Sequence, residues 1–181
     1  MKNETLMQYF EWDLPADGLL WKRCAAQAPK LKALGITKVW LPPAYKGMNG
    51  MNDVGYGVYD TYDLGEFEQK GTVSTKYGTR EEYLKAVKAL QKNGIEVLAD
   101  IVLNHMMGAD GCERVNALET AENNRNQSVS NIKEISAWTI FDFPGRAGKY
   151  SDFTWNSSHF NGVDWDEASK RKAVYLFEDK K

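Results

Sequence analysis

The ten residues Glu96–His105, Glu-Val-Leu-Ala-Asp-Ile-Val-Leu-Asn-His, constrain this chain more than any others. Val97, Leu98, Ile101, Val102 and Leu103 form a nearly continuous apolar run, the pattern of a strand covered on both faces in a parallel sheet. Asp100 interrupts the run, and Asn104 with His105 closes it in polar chemistry. In α/β folds, binding and catalytic groups collect beyond the carboxyl ends of the strands. A carboxylate inside a buried strand needs a partner, because burying an unpaired polar group is costly. The plainer reading is a core Asp with a backbone or Arg partner and a His capping a loop.

The segments before it repeat one theme. Leu6–Trp12 has strand composition. Leu19–Ala26 can form a short helix, and Pro29 is expected to break it and start a second piece ending at Leu34, with Gly35 as the left-handed stop. Thr37–Leu41 reads as a strand ended by Pro42-Pro43. Thr79 with Glu82 has the spacing of a helix capping box, Leu84, Val87 and Leu90 share one predicted face, and Gly94 ends the helix. The order strand–helix–strand–helix–strand predicts parallel strands with right-handed crossovers. Between them, residues 44–78 are rich in Gly and Tyr. A loop of that length is uncommon in a compact domain, and tyrosine rings suit stacking on sugars. The plainer reading is a small hairpin packed by its own aromatics.

After His105 the helical period fades, and turn signals and aromatics predict a separate, irregular β-rich domain. Ala173–Phe177 reads as a strand interrupted in mid-element. The acidic group Asp164, Asp166 and Glu167 reads as a solvated face or cation site, not a catalytic pair. With 181 residues, 43% hydrophobic, and a net charge of −2, the composition gives no reason to expect nucleic acid or an anionic membrane as partner. No apolar run reaches transmembrane length, and the amino-terminal residues lack the apolar core of a signal peptide. Cys24 and Cys112 suggest neither a disulfide framework nor a metal pattern. Cytoplasmic location is the expectation, or secretion had a signal been removed.

Several stretches together resemble the α-amylase family of bacterial liquefying and cytoplasmic enzymes. They are Leu6-Met-Gln-Tyr-Phe-Glu-Trp12, Val39-Trp-Leu-Pro-Pro-Ala-Tyr-Lys-Gly47, Asp53-Val-Gly-Tyr-Gly57, Tyr62-Asp-Leu-Gly-Glu-Phe67, Asp100-Ile-Val-Leu-Asn-His105, Phe143-Pro-Gly-Arg146 and Asp164-Trp-Asp-Glu167. The resemblance implies the amino-terminal part of a (β/α)8 TIM barrel. Residues 1–105 would be its first three βα units, and 106–181 a truncated β-rich domain inserted after the third strand. It implies endo-hydrolysis of α-1,4-glucosidic bonds in starch, glycogen or maltodextrins with retention.

It also implies roles. His105, Tyr56, Trp12 and Gln8 would line a sugar subsite, and Asp100 would support the active site. Asn104 and Asn161 would be ligands of a structural calcium ion, Asn161 standing where close relatives carry Asp. The nucleophile and acid/base carboxylates would lie beyond residue 181, so the chain alone is expected to be inactive. An α-glucan is the expected partner, and the full-length enzyme is expected to be a monomer. The alternative is a short, non-catalytic relative that binds α-glucans. A third reading, an open doubly wound α/β domain with another ligand, would call for a Gly-rich phosphate loop, and none is present.

Overall fold

The computed structural model describes residues 3–178. Met1 and Lys2, which enter the signal-peptide reading, lie outside them. The chain divides into two compact units. One runs to Gly108 and takes in Pro144–Ser151. The other comprises Ala109–Phe143 and the residues from Asp152 on. The expected boundary after residue 105 therefore falls close by, but the short segment 144–151 returns to the first unit.

The first unit is built on a three-stranded parallel sheet of β1 (Leu6–Gln8), β2 (Lys38–Leu41) and β5 (Glu96–Ala99), with β2 in the middle. Helices α1 (Leu20–Ala33) and α2 (Arg80–Lys92) connect them and pack on each other. Strand side chains alternate between faces. Val39 and Leu41 are fully buried, and Met7 and Val97 pack with them against Trp21, Cys24, Leu31 and Leu90.

Pro29 does not break α1, which runs unbroken through it. The buried positions Leu20, Trp21, Cys24, Ala28 and Leu31 form one stripe across the proline, so the helix keeps all of them only by continuing. Pro29 itself is exposed, on the side where a helix carbonyl left without its amide partner can meet water. The α2 cap is the expected one: Glu82 N–H donates to Thr79 Oγ1 at 3.4 Å, and Thr79 N–H to Glu82 Oε2 at 3.0 Å. Its core face is Tyr83, Ala86, Val87 and Leu90, an i, i+3, i+4, i+7 set. Leu84 lies off that stripe and is exposed. Gly35 and Gly94 both take positive φ (82° and 68°) after the helices, the conformation glycine adopts without strain.

The expectation of one long strand buried on both faces at Glu96–His105 is corrected. Regular pairing ends at Ala99, and Leu98, Ile101 and Leu103 are exposed. β5 is an edge strand among the described residues, and only its Val97 side meets the helices. Asp100 is accordingly half-buried and sits just past the strand end, its N–H reaching Leu41 O at 3.3 Å.

Residues 44–78 form a short antiparallel pair, β3 (Lys46–Gly47) and β4 (Val58–Asp60), and a set of turns around buried charge. Lys46, Asp60 and Asp63 are fully buried, and Arg146 nearly so. The Lys46 ammonium donates to the carbonyls of Phe67 (3.1 Å) and Val73 (2.7 Å) and lies 3.5 Å from Asp63 Oδ2. Gln69 Nε2 donates to Asp60 (2.9 Å) and Asp63 (3.0 Å), and Arg146 Nε to Asp60 at 2.8 Å. The hairpin is thus packed by ion pairs and backbone carbonyls as much as by aromatics.

The second unit is a five-stranded antiparallel sheet, more regular than expected. Its strands are β6 (Gly111–Ala121), β7 (Asn124–Ser128), β8 (Lys133–Ile140), β9 (Gly162–Asp166) and β10 (Arg171–Phe177). The supposed interrupted strand at 173–177 belongs to β10, which pairs with β6 on one side and β9 on the other. Ala117, Ile135, Ala137, Tyr175 and Phe177 form its core. Asp166 is not a solvated acid. It is buried and accepts from Ser136 N (3.0 Å) and Ala168 N (3.1 Å), tying the β9–β10 turn to β8.

Candidate functional site

The site lies in the first unit, beyond the carboxyl ends of β1 and β5. Tyr56 is its hub. The Tyr56 hydroxyl donates to Asp100 Oδ2 at 2.7 Å, and the Tyr56 carbonyl lies 2.8 Å from His105 Nε2. The Trp12 indole lies nearly parallel to the Tyr56 ring, 6° between planes and 5.9 Å between centroids. Trp12 is 65% exposed, so a flat apolar face is presented to solvent at the strand ends.

Local chemistry explains why Tyr56 is held there. Asp53 accepts from the amides of Gly55 (2.8 Å) and Gly57 (3.1 Å), the turn that an Asp-x-Gly sequence favours. A Cβ on Gly47 or Gly57 would come within 2.2 or 2.5 Å of the Asp53 carboxyl group, so only glycine fits at either. The Tyr77 hydroxyl adds a bond to Val54 O at 2.9 Å. The Tyr45 hydroxyl accepts from Val102 N at 3.0 Å, and Met107 N–H donates to Val58 O at 2.7 Å, fastening the segment after β5 to the same loop. Tyr45, Asp53 and Tyr77 were not singled out by sequence reasoning. The Asp53-Val-Gly spacing was a readable turn signal, whereas the two tyrosine contacts span 57 and 23 residues and leave no local trace.

The electrostatics follow from these contacts. Partial burial, then the adjacent Asp100 carboxylate, pushes the Tyr56 phenol up to about 12. It is therefore a donor at neutral pH. A carbonyl can only accept, so His105 Nε2 carries a proton toward Tyr56 O. In the neutral ring, Nδ1 is then the acceptor facing Asn104 Nδ2 at 3.4 Å.

Of the residues expected at the site, Trp12, Tyr56, Asp100 and His105 come together. Asp100 has a Tyr partner in place of the backbone or Arg partner of the plainer reading. Gln8 turns its amide to Phe10 O at 2.9 Å. Asn104 is exposed beside His105. Asn161 is in the second unit, exposed just before β9, its carbonyl accepting from Phe177 N at 3.0 Å. Both offer amide oxygen, the donor type a hard cation takes, but neutral oxygen. Among the described residues no group of three or more His, Cys, Asp or Glu converges to hold a metal. The site can stack a flat apolar ring face and hydrogen-bond hydroxyls.

Parallel βα units with polar groups gathered past the strand ends fit part of a TIM barrel. The catalytic-domain profile of α-amylase matches residues 24–181, and the chain belongs to the α-amylase family. It is 57% identical to an α-amylase of Geobacillus stearothermophilus over 97% of its own length and 32% of the relative's. It is 45% identical to the cytoplasmic α-amylase of Escherichia coli (strain K12) over 97% of its length and 35% of that protein. Among solved structures it resembles a truncated alternansucrase from Leuconostoc mesenteroides, with a TM-score of 0.62 and 26% identity over 76% of this chain and 13% of that one. The chain thus spans about a third of the length of the curated relatives it matches. Among the described residues no helix is long and apolar enough to cross a membrane.

Proposed function

We propose that Trp12, Tyr56 and His105 form a binding subsite for an α-glucan chain, supported by Asp100. In a protein of the relatives' full length, this subsite would serve endo-hydrolysis of α-1,4-glucosidic bonds in starch, glycogen or maltodextrins with retention. The observation that carries this reading is the exposed Trp12 face beside Tyr56, with the His105 ring bonded to the same residue. A pyranose offers an apolar face for stacking and hydroxyls for hydrogen bonds, and such a site offers both complements. Gln8 borders the subsite on β1.

Hydrolysis with retention needs two carboxyl groups roughly 5–5.5 Å apart, one as nucleophile and one as acid/base. Asp100 is bonded to Tyr56 and serves as its orienting partner, so in this reading the pair comes from sequence beyond residue 181. The units described above then correspond to the first three βα units of a (β/α)8 barrel and a β-rich domain inserted after the third strand. The name of the Escherichia coli relative supports a cytoplasmic location for this chain.

Asn104 and Asn161 are each proposed as a neutral oxygen ligand for structural calcium, which would not enter the chemistry. With no charge from these two residues, affinity in the isolated chain is expected to be weak. The test of function is Tyr56→Ala in a protein of the relatives' full length. Turnover of maltooligosaccharide should fall while calcium content stays constant; unchanged turnover would remove Tyr56 from the subsite.

A further inference from the structure

We propose that the turns between Asp63 and Val73 form a binding site for a monovalent cation, which the chain fills with its own Lys46 ammonium. Lys46 is fully buried. Its Nζ lies 3.1 Å from Phe67 O, 2.5 Å from Thr72 O, 2.7 Å from Val73 O and 3.5 Å from Gln69 O. Asp63 Oδ2 is also 3.5 Å away. A lysine ammonium has three N–H donors, so it can satisfy only three of these oxygens well. The shell holds more oxygen than its hydrogen bonds use. Main-chain carbonyls with one carboxylate are the groups that replace the water around a bare cation.

The cage is shaped by bonds that do not involve the lysine side chain. Asp63 Oδ1 accepts from the amides of Gly65 (2.9 Å), Glu66 (2.9 Å) and Phe67 (3.3 Å). That leaves Oδ2 to face Lys46 and to accept from Gln69 Nε2 at 3.0 Å. Gln69 and Thr72 exchange two backbone bonds of 3.2 Å across a turn in which Lys70 (φ 53°) and Gly71 (φ 77°) are both left-handed. Two successive left-handed residues make the tight turn that joins hairpin strands. The Gln69 and Thr72 carbonyls are thus fixed independently of the ammonium. Gln69 Oε1 is buried in the same cluster with no hydrogen-bond partner among the described residues, one more oxygen available to a donor or a cation.

Charge selects the occupant. Asp60 and Asp63 are both fully buried, and Arg146 Nε pairs with Asp60 at 2.8 Å. The Asp63 carboxylate is left to Lys46. Without the ammonium, one buried negative charge would stand uncompensated, a costly state. A single positive charge restores the balance, and a divalent ion would exceed it. Ammonium and potassium ions are alike in radius, whereas lithium is much smaller, so the cage of an ammonium suits potassium. Tethering the charge has a consequence for the β3–β4 hairpin, which carries Tyr56 between its strands. Occupancy by a free ion would follow that ion's concentration. A lysine holds the hairpin in any salt.

The test vacates the site and offers it ions. Lys46→Met keeps an unbranched stem and removes the charged terminal atom. Denaturant titrations of the 181-residue chain and of this variant are compared in potassium, ammonium, lithium and choline chlorides at one ionic strength. The parent midpoint should not distinguish potassium from choline. The Lys46→Met midpoint should be lowest in choline, and should rise with the logarithm of potassium or ammonium concentration. Lithium should do less. Lys46→Ala is the second variant. There n-propylammonium, which supplies the missing stem and charge, should raise the midpoint, and tetramethylammonium, too large for the cage, should not. Variants that respond to none of these ions more than to choline, including variants unfolded in every salt, would overturn the proposal. Equal shifts in parent and variants would assign the effect to general salt action and overturn it as well.

Discussion

At the scale of single residues, Tyr56 holds the site together. Its side chain stacks with Trp12 and bonds Asp100, and its carbonyl holds His105. The phenol is pushed up to about 12 from an ordinary 10.0. A raised folded-state value favours the neutral form, so this contribution to stability is complete below pH 10 and is lost as pH climbs toward 12. Tyr56→Phe should therefore weaken the alkaline dependence of stability between those limits, read by melting temperature across a pH series. An alkaline limb identical to that of the parent would mean the phenol gains nothing from its setting. The identity of this residue was legible in the Asp53-Val-Gly-Tyr-Gly57 stretch. Its hydroxyl's partner 44 positions away was not, because nothing local encodes a contact between a loop and a strand end.

At the scale of elements, two devices organise the units. The first is the buried pair of Arg146 and Asp60, both about 1% exposed, which fixes the returning segment 144–151 to the hairpin of β3 and β4. Removing one member of a buried pair strands the other charge, at a cost of about 3–5 kcal/mol. Arg146→Met should lower unfolding free energy by that order. Lys85→Met, which breaks the solvent-exposed pair with Glu81, should cost far less. Equal small losses in denaturant titration would show that Arg146 is not a structural clasp. The second device is Glu167, which accepts from Trp165 Nε1 (2.9 Å) and Trp138 Nε1 (3.1 Å) and pairs with Lys170.

These contacts, Lys170 first, pull the Glu167 carboxyl down to about 2 from 4.5. The depressed value stabilises the unit above pH 4.5, and the gain disappears as pH falls toward 2. Tryptophan fluorescence should report a transition in that window which Glu167→Gln removes; a transition that survives the substitution would assign it elsewhere. Elements with local signals were readable in the sequence, among them the α2 capping box and the glycine stops. Helix α1 was misjudged at Pro29, where burial of one stripe outweighed a lost backbone bond. The regularity of the second sheet was hidden because its pairings, β10 with β6 above all, join residues more than 50 positions apart.

At the scale of the whole molecule, the sheet edge explains why the reading of Glu96–His105 as a strand buried on both faces failed. A nearly continuous apolar run specifies a strand but not what covers it. Leu98, Ile101 and Leu103 remain open, Leu103 at 87% exposure, and β5 has an unpaired edge among the described residues. Open apolar edges favour association. The 181-residue chain should elute above its monomer mass in size exclusion, and Leu103→Lys should shift it toward monomer. A monomer from the outset would mean that these side chains find cover within the chain.

We propose that the site at the strand ends binds an α-glucan. The most direct test is a titration of the 181-residue chain with maltopentaose, followed by two-dimensional NMR with the Trp12 indole and His105 ring resonances assigned. Saturable shifts are expected at Trp12, Tyr56 and His105, smaller or absent with cellopentaose, and lost in Trp12→Ala and Tyr56→Ala variants that retain the parent spectrum elsewhere. Shifts confined to other residues, or equal responses to both sugars, would contradict it.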